Sequence, residues 1–293
     1  MTNQFAEVHN VPEGTFKYGG STSWSFIYPK LESEIKNTYP LFNINIRKDL
    51  VKGSGIGIEK LIDGELDFAL SSRNVSTQED HNAKKSLKAI PVVKSGLAVA
   101  VNPKLAINSL TKDQVSKIFS GKIDNWRQAG NPADIPIKFY VRGNNSTSTD
   151  EFRKSLEIIE FGEKINYVNT TNEGLREITR EAGGIFVGPI SDIVPQCGVK
   201  TLPIINKGKT FYPYQQQNFV SPAECGPGKR NRVNIEAIYS GEYPLPVDFY
   251  VVVKENGQKE QQAGEAYANL LQTEQCKNTI RQLQETGGFD KSN

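Results

Sequence analysis

Short stretches rich in serine, threonine and glycine stand at the points where predicted strands end. They are GGSTSW at residues 19–24, KGSGIG at 52–57, SSR at 71–73 and RGNNSTST at 142–149. A helix N-terminus offers unpaired backbone N–H groups and a partial positive charge, and hydroxyl groups donate hydrogen bonds without adding charge. Glycine allows the backbone to approach a ligand closely. This combination predicts a binding site for a small tetrahedral oxyanion.

Arg142 opens the last of these stretches and carries its only full charge. A guanidinium group can hold two oxygens of an oxyanion at once. Hydrogen bonds to charged groups contribute about 1.5–3 kcal/mol each, so a handful would reach micromolar affinity. Taken singly, each stretch has an ordinary alternative, because serine and threonine often cap helices and a surface arginine usually forms an ion pair. Their joint occurrence favours the anion site.

The wider pattern alternates β-like runs with helical runs, which predicts an α/β fold. In open α/β sheets ligands bind at the carboxyl ends of the strands, so the serine-rich stretches can meet at one site. Helices are expected at about 23–38, 55–62, 112–119 and 149–160. Pro29 predicts a kink or a later start in the first of them. Ser148 and Glu151 have the spacing of a capping box at the start of the last.

Composition excludes several classes of protein. The chain has 293 residues, which suffices for one large domain or two lobes. Charged residues make up 23% and the formal net charge is +2, which argues against a nucleic-acid partner. Apolar stretches such as 97–101 are too short to cross a bilayer. The first ten residues do not have the pattern of a secretion signal, which leaves a cytosolic protein or a sequence without its leader.

The cysteines favour a disulfide. Cys197 and Cys225 lie in loop-like surroundings rich in proline and glycine, without histidine or cysteine neighbours at metal-ligand spacing. A disulfide between them would indicate an oxidising compartment, and two free thiols in a cytosolic protein are the alternative. Cys276 lies in a helical pattern and is expected to be a buried thiol rather than a nucleophile. We expect no metal site and no cofactor.

Segments spread over nearly the whole chain carry a resemblance to a known family. They are YGGSTSW, GSGIGIEKLIDGELDFALSSRNVS, IFSGKIDNW, VRGNNSTSTDEF, AGGIFVG and PLPVDFYVVVK. Together they resemble the phosphate-binding proteins of bacterial ABC phosphate transporters. That resemblance implies the two-lobed type II periplasmic binding protein fold, each lobe a mixed sheet flanked by helices, with the ligand cleft between the lobes. It places lobe I at 1–97 plus 229–293 and lobe II at 98–228.

The resemblance also implies a function and a set of ligands. The protein would capture inorganic phosphate outside the cytoplasm, in the periplasm or an equivalent space, and deliver it as a monomer to an ABC membrane permease. The phosphate-binding residues carried over from the family pattern are Thr22, Ser23, Ser54, Ser72, Arg142, Ser146, Thr147 and Ser148.

Two positions depart from the family pattern. Thr147 stands where the family has a glycine, so the loop must differ if that position needs a positive φ. Ser72 stands where some members have a carboxylate and others a serine, and a carboxylate there accepts the proton of hydrogen phosphate and repels sulfate. Asp67 is expected to begin a strand and Asp150 to lie in the first turn of a helix. The choice between phosphate and another oxyanion therefore stays open.

Two other classes of function are alternatives to transport. The same domain could be the extracellular ligand sensor of a membrane protein. A hydrolase using a loop serine would need His9 or His81 beside it, and both lie in polar or N-terminal stretches. We therefore expect no enzymatic activity. Trp24 follows the first ligand loop and is expected to be a core aromatic residue.

Overall fold

The computed structural model describes residues 3–25, 27–83, 86–143 and 146–286. The chain divides into two compact units. Unit 1 contains the described residues of Met1–Lys94 and Asp248–Leu283, and unit 2 contains those of Ser95–Val247 and Gln284–Asn293. Each unit combines a sheet with helices, which confirms the α/β fold class expected from the sequence.

The strands and the α-helices are numbered in chain order. The strands are β1 (Gly14–Gly20), β2 (Phe42–Ile46), β3 (Phe68–Ser71), β4 (Leu87–Val101), β5 (Leu110–Thr111), β6 (Lys138–Arg142), β7 (Asn166–Val168), β8 (Gly184–Pro189), β9 (Lys200–Leu202), β10 (Ile204–Asn206), β11 (Lys209–Phe211) and β12 (Pro246–Lys254). The α-helices are α1 (Tyr28–Thr38), α2 (Ser54–Ile62), α3 (Thr77–Asn82), α4 (Lys112–Phe119), α5 (Thr147–Ser155), α6 (Thr171–Arg180), α7 (Ile190–Ile193), α8 (Ile235–Tyr239), α9 (Lys259–Leu271) and α10 (Glu274–Thr286).

The chain passes from one unit to the other twice, and each time it does so inside a strand. The first of these strands is β4 and the second is β12. The resemblance placed the return to the first lobe at residue 229, whereas in this division it comes at 248. The segment before β12 belongs to unit 2 because it is bonded to the second half of β4. The Tyr243 hydroxyl donates to the Leu97 carbonyl at 2.9 Å, and the Leu97 amide donates to the Leu245 carbonyl at 2.9 Å.

The sheet of unit 1 has the strand order β2-β1-β3-β12. β1 runs parallel to β2 and β3, and β12 is antiparallel to β3. Helix α2 packs its apolar face on this sheet, where Ile58 and Leu61 meet Ala69 of β3 and Val252 of β12 in one fully buried cluster. Because Ala69 and Val252 are also cross-strand partners, this cluster fixes α2 over the ends of the parallel strands.

Helix α1 begins later than the helical pattern alone suggested. The sequence predicted a helix from about residue 23, with a possible late start because of Pro29. The helix begins at Tyr28, so that Pro29 lies in its first turn, and Thr22–Trp24 forms a short 3₁₀ turn instead. Proline is tolerated in the first turn because its missing N–H has no intrahelical partner there. The late start is therefore confirmed.

The main sheet of unit 2 has the order β4-β8-β6-β7, with β9 paired to β4. β6 runs parallel to β7 and β8, while β4 is antiparallel to β8. A separate small sheet joins β5, β10 and β11. The parallel strands β6, β7 and β8 therefore end at the same edge, as β1 and β3 do in unit 1.

Helix α5 differs from its prediction at both ends. Ser148 is its second residue rather than its cap, so the predicted capping box is wrong. The cap position is held by Ser146. At the other end the helix stops after Ser155, and Glu157 has a φ of 55°. Ile159 lies beyond this turn and is 84% exposed.

The predicted disulfide is present. Cys197 and Cys225 are bonded, with their Cα atoms 5.2 Å apart. Cys276 is a free, buried thiol in α10, and burial raises its pKa. A thiol that stays protonated is a poor nucleophile, in agreement with the expected structural role. None of the described helices combines the length and the apolar character that a membrane span requires.

Candidate anion-binding site

In unit 1 the register of the sheet brings the serine-rich loops together. Gly20, the last residue of β1, lies opposite Leu70 of β3. The next residue on one strand is Ser21, and two residues on along the other is Ser72. The Ser21 amide donates to the Leu70 carbonyl at 2.9 Å, which extends the ladder past the strand end. Two loops that are far apart in sequence thus leave the sheet side by side.

Three serine hydroxyls form a buried cluster at this point. The Ser21 and Ser72 hydroxyl oxygens lie 3.0 Å apart, and those of Ser54 and Ser72 lie 3.4 Å apart. The Ser72 amide donates to the Ser54 hydroxyl at 3.0 Å. Each of these side chains is at most 3% exposed. Because each hydroxyl is both a donor and an acceptor, a cluster of this kind can turn its O–H donors towards an anion.

The first ligand loop has a different arrangement from the other two. Thr22 and Ser23 lie in the 3₁₀ turn and are half-buried, and the Ser23 amide donates to the Ser21 hydroxyl at 3.3 Å. Trp24 is fully buried, donates its indole N–H to the Ser71 carbonyl at 3.2 Å and stacks on Phe249. Trp24 is therefore a core aromatic residue, as expected, and it holds the turn against the end of β3.

Glycine is required where α2 approaches β1. A Cβ added to Gly57 would lie 2.5 Å from the Cα of Gly20, and Gly20 itself has a φ of 123°. Real Cβ atoms do not approach backbone atoms this closely, so helix and strand would have to move apart. The close contact keeps the first turn of α2, with Ser54, beside the end of β1.

Replacing Gly57 with alanine should lower the free energy of unfolding by about 1–3 kcal/mol, since the added methyl group has no room. Gly55 is the matched control, because it lies in the same helix and a Cβ there meets only the Arg73 side chain at 3.6 Å. Gly55→Ala should be neutral or stabilise by up to about 1 kcal/mol, the helix propensity of alanine over glycine. Urea unfolding of both variants measures the difference. Equal effects at the two positions would contradict the packing argument.

In unit 2 the central feature is Arg142 at the end of β6. It lies opposite Val168 of β7 in the parallel register. Its side chain is half-buried, and in the described part of the chain its Nε has no hydrogen-bond partner although it is shielded from solvent. A buried guanidinium N–H without a partner is costly, and an oxyanion would satisfy it.

The hydroxyls of the second unit lie in the first turn of α5, next to Arg142. Ser146 and Ser148 have their hydroxyl oxygens 2.8 Å apart, and Thr147 and Ser148 are 8% exposed. Thr147 is the first helical residue and is not among the residues with positive φ, so the threonine in place of glycine fits the loop without strain. The Thr149 hydroxyl donates to the Arg142 carbonyl at 2.9 Å, which fixes the helix start against the strand end.

The other arginine of the serine-rich stretches has a structural role. Arg73 donates to both carboxylate oxygens of Glu79, at 2.8 and 2.6 Å. The pair holds the turn between β3 and α3. This geometry leaves Arg142 as the arginine best placed to meet an anion.

The acidic residues and histidines that the sequence analysis considered lie outside the serine clusters or have structural roles. Asp67 precedes β3 and accepts a hydrogen bond from the Lys17 amide at 2.6 Å. Asp150 lies in the first turn of α5, as expected. His9 and His81 are both exposed. Among the described residues, no group of three or more histidine, cysteine or acidic side chains could hold a metal ion.

A carboxylate that the sequence analysis did not consider lies near Arg142. Asp192 lies in α7, directly after β8, and Thr171 begins α6 after β7. Desolvation raises the pKa of Asp192 to about 6, while the Arg142 charge acts in the opposite direction. Asp192 itself keeps a solvent-exposed surface.

Unit 2 also contains a cavity of about 560 Å³. Lys209, on its wall, forms an ion pair with Glu242 and lies over the ring of Phe211. Its charge is thus already compensated within the wall. None of the predicted anion ligands lines this cavity, whose walls are Lys112, Ser155, Asn206, Lys207, Lys209, Phe211, Gly241, Glu242, Tyr243, Pro244 and Pro246.

Comparison with known proteins identifies the family. The sequence matches the PBP superfamily domain over residues 8–275, which is most of the chain. The chain belongs to the PBP superfamily. Relatives of this PBP superfamily member occur in several bacteria. Protein SphX of Synechococcus elongatus is 29% identical over 186 residues, covering 59% of this chain and 55% of the relative. Phosphate-binding protein PstS of Staphylococcus haemolyticus is 25% identical over 259 residues, covering 85% and 73%.

A third relative, phosphate-binding protein PstS of Borreliella burgdorferi, is 30% identical over 146 residues, covering 47% of each chain. The chain spans about half the length of the first relatives it matches. The family match places the chain in the superfamily, and the partial coverage of these relatives leaves its own ligand to be argued from its site.

Solved structures with a similar fold confirm the architecture. An ABC-type phosphate transport receptor from Vibrio cholerae superposes with a TM-score of 0.68 at 20% identity, covering 91% of this chain and 97% of the receptor. OxyR of Corynebacterium glutamicum superposes with a TM-score of 0.58 at 14% identity, covering 95% and 70%. The same fold therefore occurs in proteins with very different names, and only the site can distinguish functions.

The structure of this PBP superfamily member adds residues that the sequence analysis missed. Ser21 lies in the first loop, one residue before the two that the family pattern selected. Thr171 and Asp192 follow β7 and β8, whose carboxyl ends share an edge with β6. The rule that ligands collect at such ends would have pointed to all three, but no serine-rich run marked the last two.

Proposed function

We propose that this protein binds inorganic phosphate and delivers it to an ABC permease. The donors in unit 1 are the loops carrying Thr22, Ser23, Ser54 and Ser72, together with Ser21. Those in unit 2 are Arg142 and the first turn of α5, with Ser146, Thr147 and Ser148. Relatives named as phosphate-binding proteins and a similar phosphate transport receptor support this assignment.

The observation that carries the proposal is the state of Arg142. Its Nε is buried and has no partner in the described part of the chain, next to paired hydroxyls and the first backbone N–H groups of a nine-residue helix. This set of donors suits a compact anion with several oxygens. It would suit a neutral sugar or an extended peptide poorly, since those lack the charge that a guanidinium group prefers.

Binding without catalysis is part of the proposal. The serine hydroxyls of unit 1 bond to one another, and the histidines, which could activate a serine, are exposed. A nucleophilic serine needs a base within hydrogen-bond reach. An extracytoplasmic location agrees with the disulfide, which is typical of oxidising compartments.

Titration calorimetry with ligand-stripped protein tests the proposal. Phosphate should bind with micromolar or tighter affinity at about pH 8, since several charge-assisted hydrogen bonds form. The dissociation constant for phosphate is the quantity to measure. Absence of detectable phosphate binding by folded protein would contradict the proposed function.

A further inference from the structure

We propose that the cavity in unit 2 is a second binding site, which takes a small organic anion with an apolar, ring-sized body. Its volume of about 560 Å³ lies within the range of about 300–1,000 Å³ that is usual for small-molecule sites. None of the residues assigned to phosphate lines it. Occupation of this cavity is therefore separate from the proposed binding of phosphate.

The cavity lies at the opposite end of α5 from the anion ligands of unit 2. Thr147 and Ser148 are the first residues of this helix, and Ser155, its last residue, lines the cavity. At a rise of about 1.5 Å per residue, the two ends of the helix are roughly 12 Å apart. The other walls come from the start of α4, the hairpin of β10 and β11, and residues 241–246. All of these elements belong to unit 2, so the site is complete within one compact unit.

The lining residues divide into an apolar floor and a charged rim. Phe211, Tyr243 and Pro244 are buried, whereas Lys207 and Lys209 are exposed. The Tyr243 hydroxyl donates to a backbone carbonyl of β4 at 2.9 Å, so its ring rather than its hydroxyl is available to a ligand. A ligand with an apolar body would cover this floor and place its charge at the rim.

The charges at the rim favour an anion. Three lysines and one glutamate line the cavity, in a chain whose formal net charge is only +2. Lys209 forms an ion pair with Glu242 and lies 5.2 Å from the centre of the Phe211 ring. In the described part of the chain, Lys112 and Lys207 form no ion pair. These two ammonium groups can therefore attract a carboxylate, sulfonate or phosphate group on the ligand.

The backbone fixes the position of Lys207. Asn206 pairs with Lys209 in the antiparallel register of β10 and β11, so the hairpin turns over two residues, Lys207 and Gly208. Both have a positive φ, of 49° and 76°, as in the two-residue turns that match the twist of a hairpin. The ligand would therefore meet a rim that is already ordered, which lowers the entropic cost of binding.

Fluorescence titration with 8-anilinonaphthalene-1-sulfonate tests the proposal, because this probe combines an apolar aromatic body with one negative charge. N-phenyl-1-naphthylamine is the matched neutral probe, with the same rings and no sulfonate. The folded protein should bind the sulfonate probe, and changes of charge at the rim should alter the affinity for that probe alone. Absence of sulfonate binding by the folded protein would overturn the second site.

The double variant Lys112→Gln with Lys207→Asn removes both ammonium groups, and asparagine suits the first position of this kind of turn. The dissociation constant of the sulfonate probe should rise about threefold to thirtyfold, while that of the neutral probe should stay the same. Lys164→Gln is the matched control, because Lys164 is an exposed lysine of unit 2 that does not line the cavity. It should change neither constant. Equal weakening of both probes, or equal effects of the double variant and the control, would contradict the proposal.

Glu242→Gln should have the opposite effect on the sulfonate probe. It removes the negative charge of the rim and releases Lys209 from its ion pair, so sulfonate binding should strengthen about twofold to fivefold. Unchanged or weaker binding in this variant would count against an anion in the cavity.

Inorganic phosphate distinguishes the cavity from the site near Arg142. Excess phosphate should not displace the sulfonate probe when sodium chloride of equal ionic strength is the reference, and Arg142→Ala should still bind the probe. Displacement by phosphate, or loss of the probe in Arg142→Ala, would overturn the second site. Failure of the folded wild type to bind phosphate would overturn the proposed function alone, because the probe titrations do not depend on it.

Discussion

Replacing Arg142 with alanine should abolish measurable phosphate binding while both units stay folded. The guanidinium group is the full positive charge assigned to the anion, and its Nε has no partner in the described part of the chain. Two charge-assisted hydrogen bonds at about 1.5–3 kcal/mol each correspond to a loss of affinity on the order of 100- to 10,000-fold. Calorimetry with phosphate, together with a thermal melt of the variant, measures both parts of this expectation.

Two further variants test whether the loss of phosphate binding comes from the guanidinium group of Arg142 itself. Arg180→Ala removes an arginine from an exposed ion pair with Glu177 on α6 in the same unit, and it should leave the affinity unchanged. Arg142→Lys keeps the charge but loses the two-pronged geometry, so its affinity should fall between those of the wild type and Arg142→Ala. Wild-type affinity in Arg142→Ala would refute the placement of the anion at this residue.

The sequence was informative where strands, loops and helices follow one another regularly. The alternation of elements predicted the α/β fold, and the serine-rich loops predicted that Ser54 and Ser72 would meet, which the hydrogen bonds between them confirm. The reason is physical, since parallel strands must end at a common edge. The helix over residues 112–119 was also predicted correctly, because its apolar period is regular and Thr111 caps it.

The sequence was less informative where tertiary contacts determine the ends of a helix or the neighbours of a residue. Helix α5 begins two residues before its predicted start because the Thr149 hydroxyl ties it to the Arg142 carbonyl, and it ends early at a positive-φ turn. Asp192 could not be recognised from its own surroundings in sequence, where Ser191 and Ile193 flank it on a short helix. Its proximity to Arg142 arises only when β8 pairs with β6.

Reducing the Cys197–Cys225 disulfide should lower the stability of unit 2. The two residues are separated by 28 positions, and closing a loop of that length restricts the unfolded chain by about 3–4 kcal/mol. For a unit of this size, the melting temperature should fall by about 5–15 °C. Thermal melts with and without a reductant measure the shift.

The hydrogen bonds around the disulfide indicate how much local structure should remain after reduction. Arg230, five residues after Cys225, donates to the Pro195 carbonyl at 3.0 Å, and Pro195 lies just after α7. The disulfide and this hydrogen bond both tie the segment around Cys225 to the end of α7. Asn231, in the same segment, bonds to the amide and carbonyl of Val220 inside the closed loop, both at 2.8 Å. These local bonds should persist after reduction, so the expected change is a lower melting temperature rather than loss of the fold.

A double variant, Cys197→Ser with Cys225→Ser, separates the disulfide from other effects of the reductant. It should melt at the same temperature with and without reductant, near that of the reduced wild type, because the chain has one further cysteine and Cys276 is buried and unpaired. Mass spectrometry after alkylation of the unfolded, unreduced wild type should find one modified thiol. Three modified thiols would show that the bond does not form in solution, and the stability argument built on it would fail.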